Sequence, residues 1–425
     1  MGSANLTRVR LPFGAGHLDL DLPTQNLLGV LSPRPVSACA DPHAEIERAL
    51  DAPLGVPRVE DSVRPGERIT ILVDDYTRAT PAGLVLPHLL GRLKRCGVPD
   101  SQITLLVSTG THRASGEAEL RHKLGDEIFQ GYSIDVHDCL DRASQVFAGL
   151  TQRGTPVWVN RRAVETDRLF GIGHIDPSDY AGYAGGWKLV VPGVAALETV
   201  DSNHSLAPLS FRKYGDTTLP CRQDIDEAGA LVRADLFINL VLSQDGQITR
   251  ALAGHPGQIH PAGVALARQV YEVECPEPVD LCIASAFPYD MDFYQAIRAV
   301  EYADLIVRPG GNILVAAPCG DGMGSPDFFR LLSDPASSPE GFLRNIARRD
   351  GKVTYNVLGY YLSRIRNEKN VFAFLPGVSP ADLEAIGVHP VGSFQDGVDR
   401  LLARLGPAAK VAVLPVGSAT IPRLA

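Results

Sequence analysis

Eight short apolar runs, each closed by turn-forming residues, limit what this chain can fold into more than any other feature. They lie at 69–74, 103–108, 169–174, 236–242, 281–286, 313–317, 371–375 and 411–416. A continuous apolar run has no polar face to give to water, so it predicts a strand covered on both sides, as in a parallel sheet. Between these runs, 87–96, 117–124, 294–303 and 394–404 place apolar residues at helical spacing. Strand–helix alternation of this kind predicts an α/β protein with mainly parallel sheets. Residues 9–22 instead alternate with period two, which predicts an antiparallel edge or hairpin.

At 425 residues the chain exceeds what one hydrophobic core usually serves, so two domains are expected. Pro276 and Pro278 interrupt a helical stretch, and Gly406-Pro407 makes a softer break. The expected partition is an α/β domain over 1–274, to which 408–425 returns, and a second α/β domain over 279–405. Apolar residues make up 45% and charged residues 21%, as in an ordinary globular protein, and the net charge of -9 comes without a basic stripe. That excludes a nucleic-acid partner. Seven scattered cysteines show no C-x-x-C pair, as expected of reduced thiols. No signal-peptide pattern and no apolar run near the ~20 residues of a membrane span is present, so the expected location is cytoplasmic, without a membrane partner.

The residues able to do chemistry cluster just after the apolar runs, where open α/β sheets bind ligands. After the first run stand Asp75, Thr77 and Arg78, a carboxylate, hydroxyl and guanidinium able to grip a phosphate or carboxylate. After the second stand Thr109, Gly110 and His112. The small residues free backbone N–H groups for an anion, and an imidazole can carry a proton near neutral pH. Gly185 and Gly186 precede Lys188, whose amine can serve as a covalent anchor, and Asn203-His204 follows sixteen residues later. In the second half, Tyr294, Gln295 and Arg298 share a predicted helix. The i, i+4 spacing of Tyr294 and Arg298 suits a carboxylate.

The ordered series Asp75-Tyr76-Thr77-Arg78, Thr109-Gly110-Thr111-His112-Arg113, Ala181 to Lys188, Pro192-Gly193, Asn203-His204 and Tyr294-Gln295 resembles the nickel-pincer lactate racemase family. The likeness is clearest over 69–325. It implies two α/β domains with the active site in a cleft between them, and a racemase or epimerase acting at C2 of a 2-hydroxy acid. It also implies a nickel-pincer nucleotide, a pyridinium-3,5-bisthiocarboxylic acid mononucleotide, joined as a thioamide to Lys188. Nickel is then held by a ring carbon, two sulfurs and His204, and His112 is the acid/base. Asp75, Thr77, Arg78, Thr109, Gly110, Gly185 and Gly186 line the cofactor, while Arg78, Tyr294, Gln295 and Arg298 bind substrate. Maturation by cofactor-building and nickel-inserting enzymes is implied as well.

Departures from the family pattern bear on the substrate. Ser178 stands where the family has a second catalytic histidine. His174 is the preferred replacement acid/base, with Asp176, Asp179 and Tyr180 also near in sequence. Arg298 stands where a lysine is usual, exchanging a point charge for a planar fork. These changes point away from lactate, toward a larger or more polar 2-hydroxy acid such as a sugar acid. Two other readings remain open: a hydroxy-acid dehydrogenase-like enzyme with the same cofactor, and a diverged non-catalytic binding protein.

Overall fold

The computed structural model describes residues 5–425, which form two compact units. A central unit holds Pro35–Leu209 and Asp216–Gln269; a terminal unit holds 5–34, Ser210–Gly215 and Val270–Ala425. Among the described residues no helix is long and apolar enough to cross a membrane.

The central unit is built on six strands in the order Ile248–Gly254, Leu236–Leu242, Arg168–His174, Ile69–Asp74, Ile103–Ser108 and Ser133–Val136. Neighbours run parallel except the edge strand Ile248–Gly254, which is antiparallel to Leu236–Leu242. The chain enters at Ile69–Asp74, grows to one side, then crosses to the other side with Arg168–His174. The strand order therefore reverses between these two strands. The carboxyl ends of strands at such a reversal are the usual place for a ligand in a sheet of this kind.

Period-two alternation divides the sheet's side chains between two cores. Ile71, Val73, Leu105, Val107 and Ile172 meet Val85, Leu86, Leu89 and Leu93 of the helix Ala82–Arg95. On the other face Leu72, Leu106, Leu169 and Phe237 meet Trp187, Leu189, Val190 and Val191. Full burial of each such side chain contributes ~1.5–3 kcal/mol. The segment around Lys188 is thus held on the sheet by the apolar residues on either side of that lysine.

The terminal unit has a second sheet, parallel throughout, in the order His389–Pro390, Asn370–Phe374, Val307–Ala316, Val279–Ser285, Val411–Leu414 and Leu27–Val30. The expected N-terminal hairpin is present as Leu6–Phe13 paired with Gly16–Pro23. Its Leu11 and Leu20 pack with Leu281, Ile283, Val398 and Leu401.

The structure corrects the expected partition. Residues 5–34 and 408–425 belong with 279–405, not with the first domain, because Val411–Leu414 pairs with Leu281–Ala284 on one edge and with Leu27–Val30 on the other. Residues 1–4 of that expected domain lie outside the described residues. Ser210–Gly215 also joins the terminal unit, where Arg212 binds Asp304 at 2.6 and 3.0 Å and Glu368 at 2.9 Å.

Candidate active site

Asp75 follows the strand Ile69–Asp74 and is buried. Its Oδ2 lies 2.7 Å from His112 Nδ1, and its Oδ1 accepts from the hydroxyl and amide of Thr77 at 2.6 and 3.1 Å. Burial alone would raise this carboxyl group, but His112, then Arg78 and Thr77, outweigh it and hold it down at about 2. An ionised carboxylate can only accept, so His112 Nδ1 carries the hydrogen and Nε2 is the nitrogen left to exchange a proton. The result is a base oriented by a buried acid, the arrangement general-base chemistry needs.

The turn bearing His112 is fixed to the segment that follows Lys188. Gly110 adopts φ 56°, a left-handed conformation that suits glycine, and its amide donates to the Gly193 carbonyl at 2.9 Å. A Cβ on Gly193 would lie 2.2 Å from the Leu189 carbonyl, so no side chain fits there. Thr109 donates its hydroxyl to the His137 carbonyl at 2.7 Å, anchoring the turn from below.

Lys188 lies in the single helical turn Gly186–Leu189, with Nζ 3.2 Å from Ser178 Oγ and 5.1 Å from the centre of the Tyr180 ring. The other edge of this assembly is His204, at the end of the helix Leu197–His204, whose ring meets Tyr180 edge-on at 4.5 Å. The glycines before Lys188 are explained by packing against the protein. Added Cβ atoms would come within 2.6 Å of Ile175 at Gly185 and 2.9 Å of His260 at Gly186. Arg222 donates to the Tyr183 and Gly185 carbonyls at 3.1 and 3.3 Å and holds this loop.

His204 is 2% exposed, and neither ring nitrogen has a hydrogen-bond partner. Burial and then the Lys188 charge press the imidazole down to about 3, against a weak pull from the Val200 carbonyl that is not placed for a hydrogen bond. Buried polar groups are nearly always satisfied, and a neutral ring keeps one lone pair, so the orphaned imidazole has a nitrogen available to an electrophile. His204 is itself well anchored. Its neighbour Asn203 donates to Asp224 Oδ2 at 2.8 Å and to the Cys221 carbonyl at 3.0 Å, and Asp224 also accepts from Thr151 and Thr155.

The structure therefore brings His112, Asp75, Thr77 and Arg78 together, and joins Ser178, Lys188 and His204 through Tyr180; the charge of His112 also reaches His204. His174 lies deeper, 4% exposed, with Nδ1 2.7 Å from Thr80 Oγ1 and Nε2 3.5 Å from Asp176 Oδ1. Tyr294, Gln295 and Arg298 lie on the helix Phe293–Asp304 of the terminal unit. Tyr294 packs edge-on with Phe328 at 5.3 Å, while Arg298 lies 4.5 Å over the Tyr289 ring.

Sequence reasoning missed Lys123. Its Nζ lies 2.5 Å from Asp74 Oδ1 and donates to the Asp75 and Arg78 carbonyls at 3.0 and 2.7 Å. Nothing local marks it, because it reaches the loop from a separate helix, Glu117–Leu124. Asp74 did carry a signal: it is a carboxylate ending an otherwise apolar strand.

Two family models cover most of the chain: the lactate racemase N-terminal domain matches residues 13–213, and the lactate racemase C-terminal domain matches 275–421. The chain belongs to the lactate racemase family. It is 29% identical to the lactate racemase of Lactiplantibacillus plantarum over 98% of this chain and 100% of that one. It is 27% identical to the lactate racemase of Thermoanaerobacterium thermosaccharolyticum over 81% and 82% of the two chains. The structure of the latter's apoprotein superposes with a TM-score of 0.86 at 26% identity, covering 98% of this chain and 100% of that one. A Thermotoga maritima protein shares the fold at 17% identity, with a TM-score of 0.72 over 90% and 98%.

This member of the lactate racemase family is accordingly an isomerase, a hydroxy-acid racemase, and its family implies a nickel cofactor. The residues present fit such a group. Among the described residues no three His, Cys, Asp or Glu side chains are placed to hold a metal by themselves. His204 offers a metal one neutral imidazole.

Proposed function

We propose that this protein inverts the C2 configuration of a 2-hydroxy acid by reversible hydride transfer, using a nickel-pincer nucleotide joined to Lys188 and ligated through His204. The observation that carries this reading is the buried, neutral, unpartnered His204 set against Tyr180 beside the Lys188 amine. When bound at Lys188 and His204, the nucleotide would supply a reversible acceptor for the α-hydride. The protein handles the proton. His112 takes the substrate's hydroxyl proton at Nε2 while Asp75 steadies the imidazolium that forms, and the same nitrogen gives the proton back once the hydride has returned. Configuration changes with no net oxidation.

Arg78 follows Thr77 on the loop that Lys123 ties down, where a guanidinium suits a cofactor phosphate or a substrate carboxylate. Asp75, Thr77, Thr109 and Gly110 complete the proposed cofactor cradle, Gly185 and Gly186 shaping it through the backbone. Tyr294, Gln295 and Arg298 are proposed to hold the substrate carboxylate. Enzymes that build the nucleotide and insert nickel are the proposed partners.

Ser178 bears on the substrate. A serine is much smaller than the family's imidazole and can both donate and accept a hydrogen bond, which favours a longer, hydroxylated acid such as a sugar acid over lactate. Ser178→His is expected to raise turnover of lactate relative to longer acids at least tenfold, read from kcat/KM on paired substrates. An unchanged ratio removes this position from the account of specificity.

The reading is tested by intact-mass spectrometry and nickel analysis of protein produced with the cofactor-building enzymes, followed by a screen of chiral 2-hydroxy acids. A nucleotide adduct on Lys188 with bound nickel is expected; an unmodified lysine in protein that lacks nickel overturns it. His204→Ala is expected to keep the adduct and lose at least tenfold in nickel occupancy.

A further inference from the structure

We infer that His174 is a positioning residue, a buried imidazolium that ties the loop carrying Asp75 and Arg78 to the segment carrying Ser178 and Lys188. The inference rests on the reading of the site given above. It assigns His174 a part other than the second acid/base expected from sequence.

The contacts and the facing carboxylates together set the charge. The single Thr80 hydroxyl proton is donated to Asp74 Oδ2, because a carboxylate can only accept. Thr80 Oγ1 can then only accept from His174 Nδ1, 2.7 Å away, so Nδ1 carries a hydrogen. The same nitrogen is 3.6 Å from Asp74 Oδ2. Nε2 faces the carboxylate of Asp176 at 3.5 Å, an ion-pair distance rather than a hydrogen bond, and a carboxylate there favours a hydrogen on this nitrogen as well. With Nδ1 donating to Thr80 and Nε2 paired with a carboxylate, the ring is held as a cation rather than as a base for a substrate proton.

The surrounding charges agree. Asp74 and Asp176 face the ring, and Lys123 holds the other oxygen of Asp74. Burial would strip the proton from His174, but Asp176 and then Asp74 outweigh it and raise the group to about 9. For Asp74 burial acts upward, and Lys123 with His174 brings it below its ordinary value.

This cation sits where the sheet reverses its order, between the ends of Ile69–Asp74 and Arg168–His174. Thr80 closes the loop two residues after Arg78, and Asp176 stands two residues before Ser178. The Asp176 carbonyl also accepts from the Ala184 amide at 2.8 Å, which leads directly into the Lys188 turn. One imidazolium thus fixes the distance between the proton-transferring half of the site and the anchoring half. Small misplacements of reacting groups are costly, with about 1 Å able to cost about 100-fold in rate.

The test compares His174→Gln, which removes the charge, with His174→Arg, which restores a planar cation able to reach both carboxylates. In the apoprotein, amide hydrogen exchange is expected to show at least a tenfold loss of protection at 75–80 and 175–184 in H174Q, largely recovered in H174R. Should arginine not be accommodated, wild-type protection at 75–80 is expected to fall as pH rises through 9, with no such change in H174Q. In the loaded enzyme, H174Q is expected to lower kcat 10- to 100-fold with the Lys188 adduct intact. Unaltered protection in H174Q overturns the inference. So do equal, complete losses of activity in H174Q and H174R with protection preserved, since those mean that His174 transfers a proton itself. Exchange in the apoprotein needs no cofactor, so failure of the racemase reading would leave this result standing.

Discussion

Lys188→Ala is expected to give a folded protein with no covalent nucleotide and no measurable racemisation. The loss should be at least about 10⁶-fold, the low end of enzymatic acceleration, because the group doing the difficult chemistry is gone. Folding should survive. The residues that fasten this turn to the sheet are Trp187, Leu189 and Val190, and the lysine touches Ser178 and Tyr180 from a half-buried position. Lys188→Arg separates covalent attachment from charge. It keeps a cation beside Ser178 and Tyr180 but cannot be acylated like an amine, and it should be as inactive as the alanine variant. Intact mass and chiral chromatography check both; activity in either variant ends the proposal of a lysine tether.

The second large effect is expected at the Asp75–His112 pair. His112→Asn should load nucleotide and nickel normally yet lose 10²- to 10⁴-fold in kcat, the usual worth of a positioned acid/base. Asp75→Asn keeps an acceptor for His112 Nδ1 but removes the charge that steadies the protonated ring, and a loss of about 10²-fold is expected. Asp75 also has a signature in stability. Its carboxyl is held at about 2 against an ordinary 3.8, which corresponds to about 2 kcal/mol. A depressed carboxylate stabilises the fold fully above its unfolded value and loses that contribution as pH falls through its folded one. Asp75→Asn should therefore melt below wild type at pH 7 and converge with it toward pH 2. Melting curves that stay parallel across this range would show that the carboxylate is not held by the contacts described.

The apolar runs located eight strands of the two main sheets, seven of them to within two residues, because a buried parallel strand has to be apolar throughout. Val307–Ala316 begins six residues before its run, in a polar, exposed stretch. The runs did not say which strands pair. Val411–Leu414 pairs next to Val279–Ser285 through backbone groups that every residue possesses, so its place could not be read from side chains. The clusters after the strands were legible for a related reason, since a parallel sheet gathers its strand ends in one crevice. What remained hidden were the long-range supports. Lys123 reaches the Asp75 loop from 48 residues away, and Asn203 is held by Asp224 from 21 residues away. The charge of His174 depends in part on Thr80, 94 residues away in the chain. The glycines before Lys188 read as room for a ligand, but in the structure their missing side chains make room for Ile175 and His260.

The way the chain is shared between the two units sets an order of synthesis. All strands of the central sheet, with Lys188, His112 and His204, lie between residues 69 and 254. The terminal sheet begins with Leu27–Val30, whose partner Val411–Leu414 is translated almost four hundred residues later. Domains generally fold as units during translation. The lysine-bearing unit can therefore be complete while its companion still waits for the strand that closes it. On the proposed reading, Lys188 would then stand in its final turn, open to a modifying enzyme, on a chain still attached to the ribosome.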